Sequence, residues 1–153
     1  MTQVNVPLTI LNRTLATLRA GGVVGHERVV LWLGATSAGG RVLEAYEPEQ
    51  VTAKDRFYLP PHSMRQLMSH LRSKRLKIVA QIHTHPGHAF HSEADAEWAI
   101  VRHVGALSLV LPRFAATTTA ETFLDEVMTY AFTPEADWAL TPNRGPGAKL
   151  ELV

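Results

Sequence analysis

The sequence predicts an α/β fold: a single domain over residues 1–153 in which helices sandwich a mixed β-sheet. Some segments place apolar side chains at three- and four-residue steps, which is the spacing of an amphipathic helix. Others are short, β-branched apolar runs typical of buried strands. Segments of the two kinds alternate along a chain that is long enough for one core and too short for two comfortable ones.

The composition is that of an ordinary soluble globular protein. Charged residues make up 19% of the chain and the formal net charge is +1, so no basic excess indicates nucleic-acid binding. The absence of cysteine excludes disulfides, thiolate ligands and a cysteine nucleophile. No run approaches the roughly 18 apolar residues of a membrane span, and no basic segment followed by an apolar run opens the chain. We expect a cytoplasmic protein that binds neither nucleic acid nor membrane.

The first third of the chain predicts a helix followed by a β-hairpin. Leucines at helical spacing mark residues 7–20 as the helix, and Gly21 and Gly22 end it. Two β-branched, apolar runs, residues 28–33 and 41–46, flank a glycine-containing turn and predict the hairpin.

The middle third predicts a connection, a second helix and a buried strand. Residues 47–59 are polar and flanked by prolines, which predicts a connection with a short strand at 57–59. Apolar residues at helical spacing follow from Pro61 and end in a basic cluster at residues 72–77, which suits a helix C-terminus. Residues 76–82 form the buried strand.

The last third predicts one helix and three strands before a proline- and glycine-rich segment. The predicted elements are a helix over residues 92–103 in which Trp98, Ile100 and Val101 pack, a buried strand over 106–111, an edge strand over 127–132, a short strand around Trp138 and Leu140, and a turn or mobile tail over 141–148.

The strand over residues 76–82 leads into two histidines. His83 and His85 are two residues apart and project from the same face, so their imidazoles can share one ion. After a short loop, Ser92 followed three residues later by Asp95 marks a helix start, close enough for Asp95 to be a third ligand. Two histidines, one carboxylate and an open position for water form the ligand set of a catalytic zinc.

Plainer interpretations of the same residues stay open. Ser-x-x-Asp is an ordinary capping box, in which Asp95 only reaches back to the amide of the capping residue. A single histidine is more often a core or surface residue than a ligand. His88 and His91 could bind metal loosely or supply an alternative ligand. We place these two in the loop or behind the ligands.

The residues His-Thr-His-Pro at 83–86, with Ser92 and Asp95, resemble the signature of the JAB/MPN (JAMM) metalloprotease family: Glu, then His-[Ser/Thr]-His-Pro, then Ser-x-x-Asp. Six residues separate His85 from Ser92, where the family pattern has seven. The segments 57–61 and 88–91 also resemble bacterial JAB proteins. The resemblance implies a cytidine-deaminase-like fold.

The same resemblance selects Glu27 as the catalytic carboxylate. In the family this Glu stands just before a strand, with Gly seven residues on, and Glu27 and Gly34 match that spacing. Val30 stands where the family often has another Gly. From the residues alone Glu27 would be an exposed charge at a strand end. The rival candidates are then Glu44, Glu47 and Glu49.

The activity that the resemblance implies is zinc-dependent cleavage after the C-terminal glycine of a ubiquitin-like modifier, by deconjugation or precursor trimming. Zn²⁺ would be held by His83, His85 and Asp95, Glu27 would act as general base and then acid, and Ser92 would hydrogen-bond the oxyanion. The implied partner is a ubiquitin-like protein or its conjugates. Bacterial members are associated with E1-like and E2-like proteins in ubiquitin-like conjugation or antiphage systems.

Two alternatives remain. One keeps the site and changes the substrate to the C-terminus of a sulfur-carrier protein. The other is a non-catalytic MPN scaffold that binds a partner, although scaffolds of that kind usually lack the ligands that this chain keeps.

Overall fold

The computed structural model describes residues 3–37, 40–97 and 99–153, and it confirms the α/β class. The strands are β1 (Val4–Val6), β2 (Val29–Ala35), β3 (Glu44–Tyr46), β4 (Val51–Thr52), β5 (Phe57–Tyr58), β6 (Leu76–Thr84), β7 (Leu107–Leu111), β8 (Met128–Phe132), β9 (Trp138–Thr141) and β10 (Leu150–Leu152). The helices are α1 (Leu8–Val23), α2 (Pro61–Lys74), α3 (Glu93–Glu97) and α4 (Phe123–Glu126).

The centre of the molecule is a six-stranded sheet in the order β3-β2-β6-β7-β8-β9. β6 and β7 are parallel, whereas the other neighbours are antiparallel. The mixed sheet and the hairpin of β2 with β3 are therefore confirmed. Two small pairs lie outside this sheet: β1 runs parallel to β10, and β4 is antiparallel to β5.

Helices cover both faces of this sheet, as predicted. The face that packs against α1, here called the α1 face, carries apolar strand residues such as Trp32, Ile82 and Leu109. The opposite face, here called the site face, carries apolar residues toward α2 at one end and His83 at the other. Because strand residues alternate in direction, β6 supplies both faces from consecutive positions.

A close approach of two segments explains Gly34. A Cβ at this position would lie 2.7 Å from the carbonyl oxygen of Arg41 and 2.9 Å from Cγ2 of Val79. Any side chain would therefore push β2 away from the segment leading to β3. Packing therefore explains why glycine stands at position 34, seven residues after Glu27.

Several boundaries differ from the predictions. The third helix is α3 alone, and Trp98 lies outside the described residues, so its predicted packing stays untested. The helix does not run to 103 because the backbone N–H groups of Ile100 and Val101 donate to the side chain of Gln81 instead of continuing a helical ladder. The second strand of the hairpin is shortened to β3, since Arg41 instead forms an isolated bridge with Asn5.

The C-terminal region also differs. β8 pairs on both sides, so the edge strand is β9. The segment between β9 and β10 forms turns, which is one of the two predicted alternatives, and the chain then returns as β10 to pair with β1. The single-domain assignment stays a prediction. In the part of the chain that the structure describes, no helix has the length and apolar character needed to cross a bilayer.

Candidate metal centre

β6 ends at two histidines whose backbone is held by the sheet. His83 is 0% exposed and His85 is 6% exposed. β6 pairs with β7 as far as Thr84, and the N–H of His85 donates to the carbonyl of Leu111 at 2.9 Å. Thr84, between the two histidines, is buried on the other face, as predicted for a packing residue.

Asp95 lies between the two imidazoles. Its Oδ1 is 3.2 Å from Nε2 of His83, and its Oδ2 is 3.0 Å from Nε2 of His85. One atom from each of these residues falls within 4.8 Å of the others. The structure therefore brings the three predicted ligands together around one small volume, despite a loop one residue shorter than the family pattern. Their role as ligands stays a prediction.

Ser92 and Asp95 also form the capping box. The N–H of Ser92 donates to Asp95 Oδ2 at 2.9 Å, and the N–H of Asp95 donates to Ser92 Oγ at 3.0 Å. The plainer interpretation is thus present together with the ligand geometry, because one carboxylate faces both the imidazoles and the cap amide. The Ser92 hydroxyl accepts from the backbone and keeps its own proton as a donor.

The histidines set the charge of Asp95. Burial raises the pKa of this carboxyl, but the imidazoles of His83 and His85 outweigh burial and hold the pKa well below its usual range. Burial lowers the pKa of His85, whereas Asp95 and Glu27 raise it, and the net shift is upward. Asp95 is therefore an anion at neutral pH.

His83 shows a feature that favours a cation. Both of its ring nitrogens are buried without a hydrogen-bond partner among the described residues, because the approach of Nε2 to Asp95 does not meet hydrogen-bond geometry. A buried polar atom left in this way is costly. The lone pair of a neutral imidazole nitrogen is a metal donor, so the three side chains fit a bound metal ion.

Aromatic rings flank both imidazoles. The ring centroid of Phe57 lies 5.5 Å from that of His83. The ring of Phe90 meets His85 edge-on, with centroids 4.6 Å apart and an interplanar angle of 87°. The connection before α2 and the loop after β6 therefore both restrict the imidazole planes.

Glu27 lies just before β2, and its backbone N–H donates to the carbonyl of Ala53 at 2.8 Å. It is 4% exposed, so the expectation of an exposed charge at a strand end is wrong. Burial is the main cause that raises the pKa of Glu27 to about 7; Asp95 and Asp55 add to this, and His85 opposes it. The carboxyl therefore titrates near neutrality.

The three rival glutamates are paired elsewhere. Their partners are His70 for Glu44, Arg28 for Glu47 and His62 for Glu49. Among the described residues that line the cavity beside the histidines, the only glutamate is Glu27. Position as well as burial therefore separates Glu27 from its rivals.

That cavity has a volume of about 1210 Å³. Glu27, the two histidines, Ser92 and Asp95 all contribute to its lining. The remaining walls are mostly apolar and come from the β4–β5 pair, the start of α2 and the loop after β6. Members of these walls are Val51, Phe57, Tyr58, Leu59, Met64, Pro86 and Phe90, and Ile100 adds to them from the segment between α3 and β7.

A left-handed turn after β7 holds the loop that follows His85. Arg113, Phe114 and Ala115 have φ of 52°, 54° and 60°, in the left-handed region that residues other than glycine rarely adopt. The N–H of Arg113 donates to the carbonyl of Gly87 at 2.8 Å, and that of Phe114 donates to the carbonyl of His85 at 2.9 Å. The strained backbone of this turn therefore holds the loop that follows His85 in place.

The two loop histidines differ. His88 stacks loosely with Phe90, with ring centroids 5.1 Å apart. His91 lies behind the ligands: its Nε2 is 3.0 Å from Ser108 Oγ, and its ring is 6.4 Å from that of His83. Burial is the main cause that lowers the pKa of His91 to about 4. Neither belongs to the three-residue group that could hold an ion.

Sequence reasoning missed the polar groups behind the site. Gln81 and Ser108 are buried and hydrogen-bonded to each other at 3.1 Å, and Tyr130 Oη accepts the N–H of His91 at 3.2 Å. A signal existed for the first two, since each is a polar residue inside an otherwise apolar strand run. Nothing in the sequence pattern singled out Tyr130.

No family model matches the chain. The probable metalloprotease y4jG of Sinorhizobium fredii (strain NBRC 101917 / NGR234) is 33% identical over 146 residues, which span 92% of this chain and 88% of the relative.

Solved structures share the fold at low sequence identity. A protein of Desulfitobacterium hafniense matches with a TM-score of 0.69 and 14% identity, covering 99% of this chain and 93% of that one. A protein of Salinibacter ruber matches with a TM-score of 0.59 and 17% identity, over 97% and 96% of the two chains. A JAB1/MPN domain protein of Archaeoglobus fulgidus matches with a TM-score of 0.52 and 11% identity, over 100% of both.

Proposed function

We propose that this chain, which belongs to the JAB/MPN metalloprotease family, is a zinc-dependent isopeptidase that cleaves after the C-terminal glycine of a ubiquitin-like modifier. Family membership supports a metal-dependent hydrolase. The observation that carries the proposal is the convergence of His83, His85 and Asp95 beside a buried Glu27.

The metal would be held by His83, His85 and Asp95. Two imidazoles and one carboxylate leave a coordination position open, which is the arrangement of catalytic rather than structural zinc. When bound, a zinc ion supplies a Lewis acid that lowers the pKa of a coordinated water from about 15.7 to about 7. Among the described residues, neither ring nitrogen of His83 has a hydrogen-bond partner, which supports this assignment.

Glu27 would move the proton. A general base is most effective when its pKa is near the working pH, and burial raises the pKa of Glu27 to about 7. In the proposed reaction Glu27 takes a proton from the attacking water and delivers it to the leaving amine. Acylation of a side chain is not needed, since water attacks the carbonyl carbon directly.

Ser92 would stabilise the transition state. Its hydroxyl accepts a hydrogen bond from the backbone of Asp95 and retains an O–H to donate. Directed at the oxygen of the scissile carbonyl, such a donor contributes about 2.7 to 4 kcal/mol where it has been removed from other enzymes. The capping role and the catalytic role are therefore compatible without a change of the capping bond.

The cavity supports a polymeric substrate. Pockets for small ligands occupy about 300 to 1,000 Å³, and this cavity is larger at about 1210 Å³. Its mostly apolar walls suit an extended chain segment that leads to the metal. The glycine at the cleavage point, the ubiquitin-like modifier and a role in conjugation or antiphage systems come from the family resemblance. E1-like and E2-like partners and a cytoplasmic location likewise stay predictions.

The test joins metal content to cleavage. The substrate is a peptide ending in Gly-Gly whose terminal carboxyl is joined to the ε-amine of a fluorophore-labelled lysine. We expect about one zinc per wild-type chain and release of the labelled lysine. His83→Ala and Asp95→Ala should lose both the zinc and the cleavage activity. Glu27→Ala should keep zinc but lose cleavage. Zinc retained by Asp95→Ala at wild-type affinity would remove Asp95 from the ligand set.

The same assay separates the alternatives. A peptide that carries extra residues beyond Gly-Gly through an ordinary peptide bond represents precursor or sulfur-carrier trimming. Cleavage of that peptide alone would shift the assignment to trimming. A zinc-loaded wild-type protein that cleaves neither peptide would favour the scaffold hypothesis.

A further inference from the structure

We propose that Gln81, on β6, is a positioning residue for the segment that carries Ser92 and Asp95. It fastens that segment to β6 at both ends, through His91 at the start and Ile100 at the end. This inference rests on the proposed function, because it concerns how the third metal ligand is held in place.

The segment needs such fastening because α3 does not pack into the core. None of its five residues is buried. A helix of this length has little stability of its own in water. The position of Asp95 relative to His83 and His85 must therefore be set at the two ends of the segment.

At the start of the segment the connection runs through Ser108. Gln81 Nε2 donates to Ser108 Oγ at 3.1 Å, and Ser108 Oγ lies 3.0 Å from Nε2 of His91. The N–H of His91 also donates to Tyr130 Oη at 3.2 Å. His91 immediately precedes Ser92, so the capping box begins from a residue held by both its ring and its backbone.

At the end of the segment the connection is direct. The N–H of Ile100 donates to Gln81 Oε1 at 2.8 Å, and that of Val101 lies 3.4 Å from the same oxygen. Since backbone N–H groups can only donate, Oε1 must face them. The amide nitrogen then faces Ser108, and the orientation of the Gln81 side chain is determined by its partners.

The sheet fixes Gln81 in register with the site. Gln81 and His83 lie two residues apart on the same face of β6, and Gln81 pairs with Ser108 on β7. Both polar side chains are buried, at 2% and 0% exposure. A buried amide with all these partners holds one geometry, because loss of any partner leaves a polar atom unsatisfied.

The experiment compares Gln81→Leu and Ser108→Ala with Thr14→Val. Thr14 is a matched control, because it is a buried residue of α1 that packs against the α1 face, away from the metal centre. Its Oγ1 accepts a hydrogen bond from Trp32 Nε1 at 2.9 Å. Leucine removes both connections of Gln81, whereas Ser108→Ala removes the connection to His91 and leaves that to Ile100.

The first readout is amide hydrogen exchange in zinc-free protein. We expect at least tenfold faster exchange at Asp95 and Ile100 in Gln81→Leu, faster exchange at Asp95 in Ser108→Ala, and no change at either amide in Thr14→Val. The second readout is zinc affinity, measured by competition with a chelator. Mutation of residues that support metal ligands typically lowers metal affinity by about 10- to 100-fold. We expect a loss of zinc affinity of that size for Gln81→Leu, a smaller loss for Ser108→Ala and none for Thr14→Val.

Wild-type exchange and wild-type zinc affinity in folded Gln81→Leu would overturn the inference. If Gln81→Leu does not fold, Ser108→Ala decides in the same way. A wild-type protein that binds no zinc would instead overturn the proposed function, and the exchange measurement would still decide whether Gln81 fastens the segment.

Discussion

The two faces of the central sheet use the same strands for different purposes. On the α1 face, Trp32 donates to Thr14, and the surrounding contacts are apolar. On the site face, Gln81, His83 and Ser108 are equally buried, but His83 has no hydrogen-bond partner among the residues described. Burial alone therefore does not mark a core residue. The incomplete hydrogen bonding of His83 marks a place where a ligand is expected to bind.

The largest effect that this contrast predicts is on catalysis at the site face. Glu27→Gln keeps the size of the side chain but removes the titratable group, and we expect cleavage to fall by about 10²- to 10⁴-fold. Zinc content and thermal stability should stay near wild type. Asp55→Asn, which changes another carboxylate lining the cavity, should alter the rate by less than tenfold. Equal losses in both variants would show that cavity charge, and not proton transfer by Glu27, controls the rate.

The next effect belongs to the α1 face and appears in stability. Leu109 is fully buried in the core against α1. We expect Leu109→Ala to lower the free energy of unfolding by about 2 to 5 kcal/mol, as for other large-to-small core changes. Zinc affinity of the folded protein should be unchanged when measured well below the melting temperature. A zinc affinity that fell with stability would mean that the two faces are not independent.

A smaller effect of opposite sign is expected for His83. Its buried nitrogens disfavour the zinc-free fold, but its imidazole also stabilises the Asp95 carboxylate. In an Asp95→Asn background, which removes that charge, His83→Leu should therefore raise the stability of zinc-free protein by about 1 kcal/mol. In the wild-type background His83→Leu should abolish zinc binding. Chemical denaturation with and without a chelator measures both. Destabilisation of the zinc-free Asp95→Asn protein by His83→Leu would show that His83 is already satisfied without an ion.

The smallest effect is a pH dependence in zinc-free protein. Burial lowers the pKa of His91 from 6.5 to about 4, so between these values the unfolded chain binds more protons than the folded one. The contribution of His91 to stability is therefore complete above about pH 6.5 and decreases as the pH falls toward 4, whereas Glu27, whose pKa burial raises, contributes in the opposite direction. Between pH 7 and pH 5 we expect wild type to lose about 1 kcal/mol relative to His91→Gln, after allowance for partial exposure to solvent. His91→Gln should remove that part of the pH dependence, and an unchanged profile would contradict the assignment.

Much of the fold and the site could be predicted because the relevant patterns are local. Alternation along β6 places His83 and His85 on one face, and the Ser92–Asp95 spacing predicts a cap wherever it lies. Glu27 was selected by family resemblance, because its burial could not be predicted from its neighbours in sequence: its backbone N–H donates to Ala53, a residue distant in sequence. The end of α3 could not be predicted either, since Gln81 supplies the competing acceptor.

The pairing of β1 with β10 has a mechanical consequence. Leu8 N–H donates to the carbonyl of Val153, and Val153 N–H donates to that of Val6, each at 2.9 Å, so the first and last strands are joined side by side. Because these strands are parallel, opposite forces on the two ends of the chain would slide one along the other and load their hydrogen bonds together. Tension applied at the ends would therefore act on the β1–β10 pair before it acted on β6, the strand that leads into His83 and His85.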